Sequence, residues 1–392
     1  MKKIRKLFLS LILVLLLISQ AEAAGMFSPY AQLKWSVEKA GKLSTEPTLA
    51  PNGLIYCPIG SKIIAYDTSS GKKVWERSTG MGGKIIEPLL VSEQDIYVTG
   101  TDGLQQMRPN GSLTWIYKLY PKARGNKVGG LVTKGPGEMI YFGLADGVYA
   151  LEPGKNFKWR YSDEKNVVAI LGDKENVYVC TGDKKSGYIL RALDHTGSRI
   201  WYRNLDDLKN IEMTIGPDGN LYIITNPANL DRNSSAKAMA INATNGKEIW
   251  SYAVKTNDLT KLSFSGEGTL FFTGKNQIHS IDLKTGSLNW ELPLLNVVSG
   301  VAIDDQKRRI YAGSSDGRLF CVSFNGRMLW DKIPDSSPPP TLHKDGGIMV
   351  YNNKNIKDTF TQAPILLPDG DIFIYSDKGF VYKIKDIYKE TS

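Results

Sequence analysis

The chain has 392 residues, of which 42% are hydrophobic and 10% aromatic, with 38 glycines and a formal net charge of +9. This composition favours strands over helices, and no run of five or more like charges marks a polyelectrolyte tail. Three cysteines (Cys57, Cys180, Cys321) and three histidines (His195, His279, His343) lie far apart, which argues against a disulfide framework, a haem-attachment motif and a zinc-type site.

The chain opens on Lys2, Lys3, Arg5 and Lys6, continues as an apolar run from Leu7 to Ile18, and reaches the small-x-small triplet Ala21-Glu22-Ala23. That order predicts a secretory signal peptide over 1–23, leaving a mature chain of 24–392. The run is shorter than the roughly 20 apolar residues a membrane span needs. No cysteine sits at Ala24–Met26, so a lipid anchor is not expected there. The expectation is a secreted or periplasmic chain with no transmembrane segment after cleavage. Nucleic acid is not an expected partner for an exported chain.

From residue 35 onward one spacing governs the sequence. The eight tryptophans are Trp35, Trp75, Trp115, Trp159, Trp201, Trp250, Trp290 and Trp330, with successive gaps of 40, 40, 44, 42, 49, 40 and 40. A period near 40 in a strand-rich chain predicts a β-propeller with one four-stranded sheet per repeat. Residues 85–115 show the unit: IIEPLLV as inner strand a, DIYVTG as b, GLQQM as c, a PNG turn, and SLTWIYK as outer strand d. Glycine precedes the tryptophan by four residues at Gly71, Gly111, Gly197, Gly246, Gly286 and Gly326, where a tight c–d hairpin needs positive φ. The strict period marks the tryptophans as blade-packing residues rather than stacking platforms for a ligand.

The two ends are complementary. QAPILLP, DIFIYS and GFVYKIK after Trp330 read as strands a, b and c with no fourth, while AQLKWSV around Trp35 reads as a lone strand d. The expected fold is therefore all-β: an eight-bladed propeller of four-stranded antiparallel blades, its N-terminal strand completing the C-terminal blade and leaving no open edge. The mature chain would form a single domain and a monomer, with an insertion at about 331–361. The cysteines fall in apolar strand-like runs and are expected to be buried free thiols. The Asp-Gly pairs at 102, 146, 218, 316 and 369 are expected to be hairpin turns.

The pattern A-x-D-x-x-T-G-x-x-x-W resembles the repeat of the pyrroloquinoline-quinone (PQQ) dehydrogenase-like propellers. Ala65, Asp67, Gly71 and Trp75 carry it with Ser70 in place of threonine; Ala192, Asp194, Thr196, Gly197 and Trp201 carry a version one residue shorter. The resemblance implies the propeller fold and two kinds of function. Its quinoprotein enzymes imply PQQ, a calcium ion and a disulfide between adjacent cysteines. This chain has no adjacent cysteine pair, and no residue here matches a catalytic aspartate or a calcium ligand. Its non-enzymatic members imply a scaffold of the outer-membrane-assembly type, whose size and blade number this chain shares.

The reading that follows is an exported, non-enzymatic scaffold at the cell envelope that binds an envelope protein or cell-surface polymer, with no cofactor or metal assigned to any residue. The alternatives are a PQQ- or calcium-dependent oxidoreductase and a carbohydrate-active propeller. The c–d turns are short and uniform, whereas length variation gathers in the b–c loops and d–a connections of the opposite face. The candidate partner-binding residues lie there: Lys122, Arg124 and Lys127; Lys184 and Lys185; Asn226, Asn229, Asp231 and Arg232; and His343, Lys344 and Tyr351.

Overall fold

The structure, a computed structural model, describes residues 30–37, 40–81, 83–100, 103–118, 132–144, 147–152, 154, 156–162, 165–183, 187–205, 208–229, 234–332 and 358–389. They form eight four-stranded antiparallel sheets. Blades 1 to 7 are contiguous in sequence. Blade 1 comprises Thr48–Leu49, Leu54–Ile59, Lys62–Asp67 and Lys73–Ser78, and blade 5 comprises Leu208–Ile215, Leu221–Pro227, Ala236–Ile241 and Glu248–Val254. Blade 8 takes strands a to c from Ile365–Leu366, Ile372–Tyr375 and Val381–Asp386, and its outer strand from Ala31–Val37, which pairs antiparallel with Val381–Asp386. Buried clusters lie between successive blades, and one joins blade 8 (Phe373, Tyr375, Val381) to blade 1 (Ile55, Cys57, Tyr66), so the eighth blade packs on the first.

The repeat motif has a physical reading at each position. In blade 1, Thr48, Tyr56, Ala65 and Trp75 lie opposite one another across strands a to d. The alanine is small because it sits between two aromatic rings. Tyr56 reaches Trp75 with ring centroids 5.4 Å apart, and each blade has such a pair, through to Phe373 and Trp35 at 6.3 Å in blade 8. This second aromatic repeat on strand b was not part of the sequence expectation. The motif aspartate ties the hairpin: Ser69 and Ser70 both donate to Asp67 Oδ1, at 2.5 and 2.7 Å, and these bonds hold its carboxyl down at about 2.

The glycine does more than permit a turn. Gly246 has φ +71°, and a Cβ there would lie 2.6 Å from the Trp201 ring of the preceding blade. The same clash would occur between Gly286 and Trp250 and between Gly71 and Trp35. Six hairpin turns, at Gly71, Gly111, Gly197, Gly246, Gly286 and Gly326, are therefore laid flat on the neighbouring indole, whereas nothing lies within 4 Å of a Cβ at Gly154. The indole N–H then donates to a carbonyl of that turn, as Trp201 does to Ala243 (2.8 Å), Trp250 to Leu283 (2.9 Å) and Trp290 to Phe324 (2.8 Å). A bulge interrupts the c–d ladder near the tryptophan in every blade, which twists the exposed outer strand out of a flat pairing geometry.

The closing blade departs from this scheme because no hairpin turn joins its third and fourth strands. Trp330 donates instead to the carboxylate of Asp386 (3.1 Å), which also accepts from Tyr311 (2.7 Å) and Arg309 (2.5 Å) and is wholly buried. On its other side, buried Lys383 donates to Thr68 O (3.1 Å) and to Asp369. Thr68 O is the carbonyl equivalent to those the other indoles use, and Trp35 Nε1 is left without a partner among the described residues. Buried charge thus does at this blade what the hairpin turn does elsewhere.

The three cysteines are free and buried, and burial pushes each thiol pKa up. Asp218-Gly219, Asp316-Gly317 and Asp369-Gly370 occupy turns with φ of +77°, +81° and +75° at glycine. The pairs at 102 and 146 have aspartates outside the described residues. Most of the expected 331–361 insertion, 333–357, also lies outside them; Asp331 and Lys332 belong to the outer strand of blade 7. No helix among the described residues is long and apolar enough to cross a membrane.

Candidate functional site

Strand a is the inner strand of each sheet, and most neighbouring a strands touch around the middle of the ring. Register with strand b places equivalent residues at one level. Counting two residues back from the one opposite the strand-b aromatic gives Glu46 in blade 1, Glu212 in blade 5, Lys261 in blade 6, Gly300 in blade 7 and Ala363 in blade 8. Where the rim repeats one chemistry, these inner positions carry glutamate in blades 1 and 5, lysine in blade 6, glycine in blade 7 and alanine in blade 8.

These five residues line one cavity of about 240 Å³, together with Lys209, Asn226 and Asn257. Blades 1 and 5 stand opposite each other in an eight-blade ring, so a cavity touching both lies on the central channel. It opens on the face of the d–a connections and b–c loops. Its wall is pinned from behind. Asn226 is 2% exposed; its amide donates to Leu259 O (2.9 Å) and its Oδ1 accepts from Leu259 N (2.8 Å). That clamp fixes the connection carrying Lys261. The Lys261 ammonium lies 3.7 Å from Glu46. It reaches there past Gly300 and Ala363: a Cβ built on Gly300 would lie 3.3 Å from Ala363 Cβ and 3.9 Å from Lys261 Cβ. Small residues in blades 7 and 8 therefore make room for an ion pair between blades 6 and 1.

The electrostatics are unbalanced. Glu87, just before strand a of blade 2, has its carboxyl pushed up to about 7, first by burial and then by the Glu46 charge. Desolvation by the surrounding protein and the Glu46 charge also raise Glu212, itself an exposed residue, against a smaller opposing effect of Lys261. Glu46 and Glu212 thus line the channel mouth, and both Glu87 and Glu212 feel the Glu46 charge. Groups whose charge is disfavoured in the free protein are characteristic of binding sites.

Of the residues expected to bind a partner, only Asn226 and Asn229 fall on described residues. Asn226 belongs to a strand that runs on to Pro227, so the b–c loop begins later than its sequence suggests, and its side chain is a buried clamp on the cavity wall. Asn229 is exposed, and its carbonyl accepts from Ser234 Oγ (2.7 Å). Lys122, Arg124, Lys127, Lys184, Lys185, Asp231, Arg232, His343, Lys344 and Tyr351 lie outside the described residues. Sequence reasoning missed Glu46, Glu87, Glu212 and Lys261. A signal existed: Glu-Pro stands before strand a at 46–47 and at 87–88, and aligning the repeats on the strand-b aromatic would have placed Glu212 and Lys261 at the same level.

The fold is shared with solved propellers of different activities. BamB from Moraxella catarrhalis superposes with a TM-score of 0.61 at 14% identity over 92% of this chain and 99% of that one. Quinohemoprotein alcohol dehydrogenase from Comamonas testosteroni gives 0.62 at 13% identity over 92% and 77%. A quinone with calcium would need clustered metal ligands and a side chain to cover its plane. Among the described residues no group of three or more His, Cys, Asp or Glu side chains is arranged to hold a metal ion. The three cysteines sit in blades 1, 4 and 7, and the channel cavity has no aromatic side chain in its wall to cover a planar quinone. These residues do not fit that group.

At the level of sequence, an outer membrane protein assembly factor BamB from Nitrosomonas eutropha is 28% identical over 166 residues, a match spanning 37% of this chain and 37% of that relative. The family model described as outer membrane protein assembly factor BamB matches residues 27–147, 105–332 and 238–360. Taken together these matches cover most of the chain, which therefore belongs to the BamB family of PQQ-repeat β-propellers.

Proposed function

We propose that the chain is an exported, non-enzymatic scaffold at the cell envelope that takes part in outer-membrane protein assembly by docking a protein partner on the channel-mouth face. The observation that carries the reading is the contrast between the two faces. The c–d turns repeat and are satisfied internally, by bonds such as those to Asp67, Asp194 and Asp282. The opposite face gathers the diverged channel residues and the connections whose length varies most in the sequence, and variation on a rigid scaffold is where binding specificity resides. The leader-like residues 1–23 support export.

The test is genetic and biochemical. Deleting the gene in its host lowers the amount of folded β-barrel protein in the outer membrane, and the wild-type chain restores it. Replacing residues 228–235 by a two-residue turn weakens restoration while the purified variant keeps its thermal midpoint. Unchanged outer-membrane composition on deletion, with saturable binding of PQQ and calcium by the purified chain, would overturn the reading.

A further inference from the structure

We propose that the channel mouth is a socket for one cationic side chain, lysine or arginine, presented by the docked partner; this rests on the docking reading above. The cavity has the volume for such a side chain, about 240 Å³. Its wall carries three carboxylates, Glu46, Glu212 and Asp258, against the ammonium groups of Lys261 and Lys209, and the Glu46 charge reaches Glu87 as well. The excess is negative, so an anion is repelled. The wall residues are mostly charged or polar: beside the carboxylates they include Asn210, Asn257, Thr260 and Thr361, with no aromatic side chain and with Leu259 buried, so an apolar anchor gains little there. A bare metal ion lacks its ligand set, since the carboxylates are not grouped closely enough among the described residues. An ammonium or guanidinium brings three to five donors spread over its own reach and can satisfy separated carboxylates at once.

The free protein already displays the interaction in miniature. Lys261, its side chain 58% exposed, holds Glu46 across Gly300 and Ala363. It acts as a placeholder: an incoming cation takes Glu46 and Glu212, and the flexible lysine swings out to solvent. Because the Asn226 clamp fixes the backbone behind the site, the socket is preformed and little ordering accompanies entry.

The experiment is calorimetric titration of the purified chain with acetyl-Lys-Lys-Lys-amide, with its fully acetylated neutral counterpart, and with calcium chloride. The expected result is saturable one-to-one binding of the cationic peptide only, weakened at least tenfold in the Glu46→Gln/Glu212→Gln variant. Lys261→Met, which removes the placeholder, tightens binding several-fold and guards against a folding defect in the double variant. Equal binding by the double variant, no binding of the cationic peptide, or displacement of the peptide by calcium would each overturn the socket. A photo-crosslinker at residue 257 in the host separates the two readings. Adducts that persist unchanged in Glu46→Gln/Glu212→Gln overturn the socket and leave docking intact, whereas no adducts with the wild-type chain overturn docking itself.

Discussion

The rim and the channel of this molecule are built from the same register by opposite rules. At the rim every blade places an aromatic ring on strand b, and most place a small residue opposite the tryptophan, whose indole lies on the neighbour's turn glycine. At the channel, equivalent positions carry Glu46, Glu212, Lys261, Gly300 and Ala363. A position repeated in all blades serves what all blades need, which is to bury a sheet face that one blade cannot bury alone. A position that differs from blade to blade answers to something the ring does not share with itself. The difference separates residues that stabilise the fold from residues free to recognise a ligand.

That separation can be broken most forcefully at the rim. Trp250 is 8% exposed and hydrogen-bonded to the next blade, so Trp250→Ala lowers unfolding free energy by about 3–5 kcal/mol, read from denaturant midpoints. Asp386→Asn has a cost of similar size, about 3–5 kcal/mol, because it leaves Arg309 buried without its counter-charge. Asp194→Asn, at an exposed hairpin that closes the ordinary way, provides the control and costs less than about 1 kcal/mol. If Asp386→Asn proved as mild as Asp194→Asn, the closing blade would not depend on its buried ion pair.

The turn glycines come next. Gly286→Ala forces a Cβ to within 2.6 Å of the Trp250 ring at φ +72° and is expected to cost about 1–3 kcal/mol by the same measurement. Gly219→Ala has a similar positive φ, +77°, but nothing within 4 Å of its Cβ, so its smaller cost isolates the backbone contribution from the indole contact.

The channel predicts a pH signature of the opposite kind. The Glu87 carboxyl, raised to about 7 from an ordinary 4.5, keeps its proton in the folded chain over a window where the unfolded chain has lost it. Its contribution to stability is fully present below about 4.5 and is lost as pH rises through 7, by at most about 3 kcal/mol. Glu87→Gln removes that slope, so the gap in thermal midpoint between wild type and variant changes sign or size between pH 5 and pH 8. Buried His279, whose pKa is lowered by desolvation, is destabilising on acidification in both chains and cancels in the comparison. The smallest effect is expected for Glu46→Gln/Glu212→Gln, whose stability stays within about 0.5 kcal/mol of wild type or rises, because exposed ion pairs contribute little. A large loss there would make the channel ring a structural element.

How much of this was legible in the sequence follows the same divide. Tryptophan period, turn glycine, motif aspartate and the unpaired first and last strands announce themselves because they repeat. The strand-b aromatics repeat as well, but tyrosine is common enough in this chain, with 19 copies, to hide the pattern. Lys383 and Asp386 were illegible, since their role comes from the missing hairpin of blade 8, and a missing turn leaves no motif. The channel residues were harder to read for a different reason. Glu46, Lys261, Gly300 and Ala363 share a level in the fold and no side-chain chemistry, so no motif marks them and only an alignment of the repeats on the strand-b aromatics brings them together.

The most direct test of the account is to compare the two faces in the host cell. A photo-activated crosslinker is placed at residue 209 or 257 on the channel mouth, and at residue 69 or 245 on the hairpin face. The account predicts a discrete protein adduct from the channel-mouth positions and none from the hairpin positions. Adducts confined to the hairpin positions would contradict it.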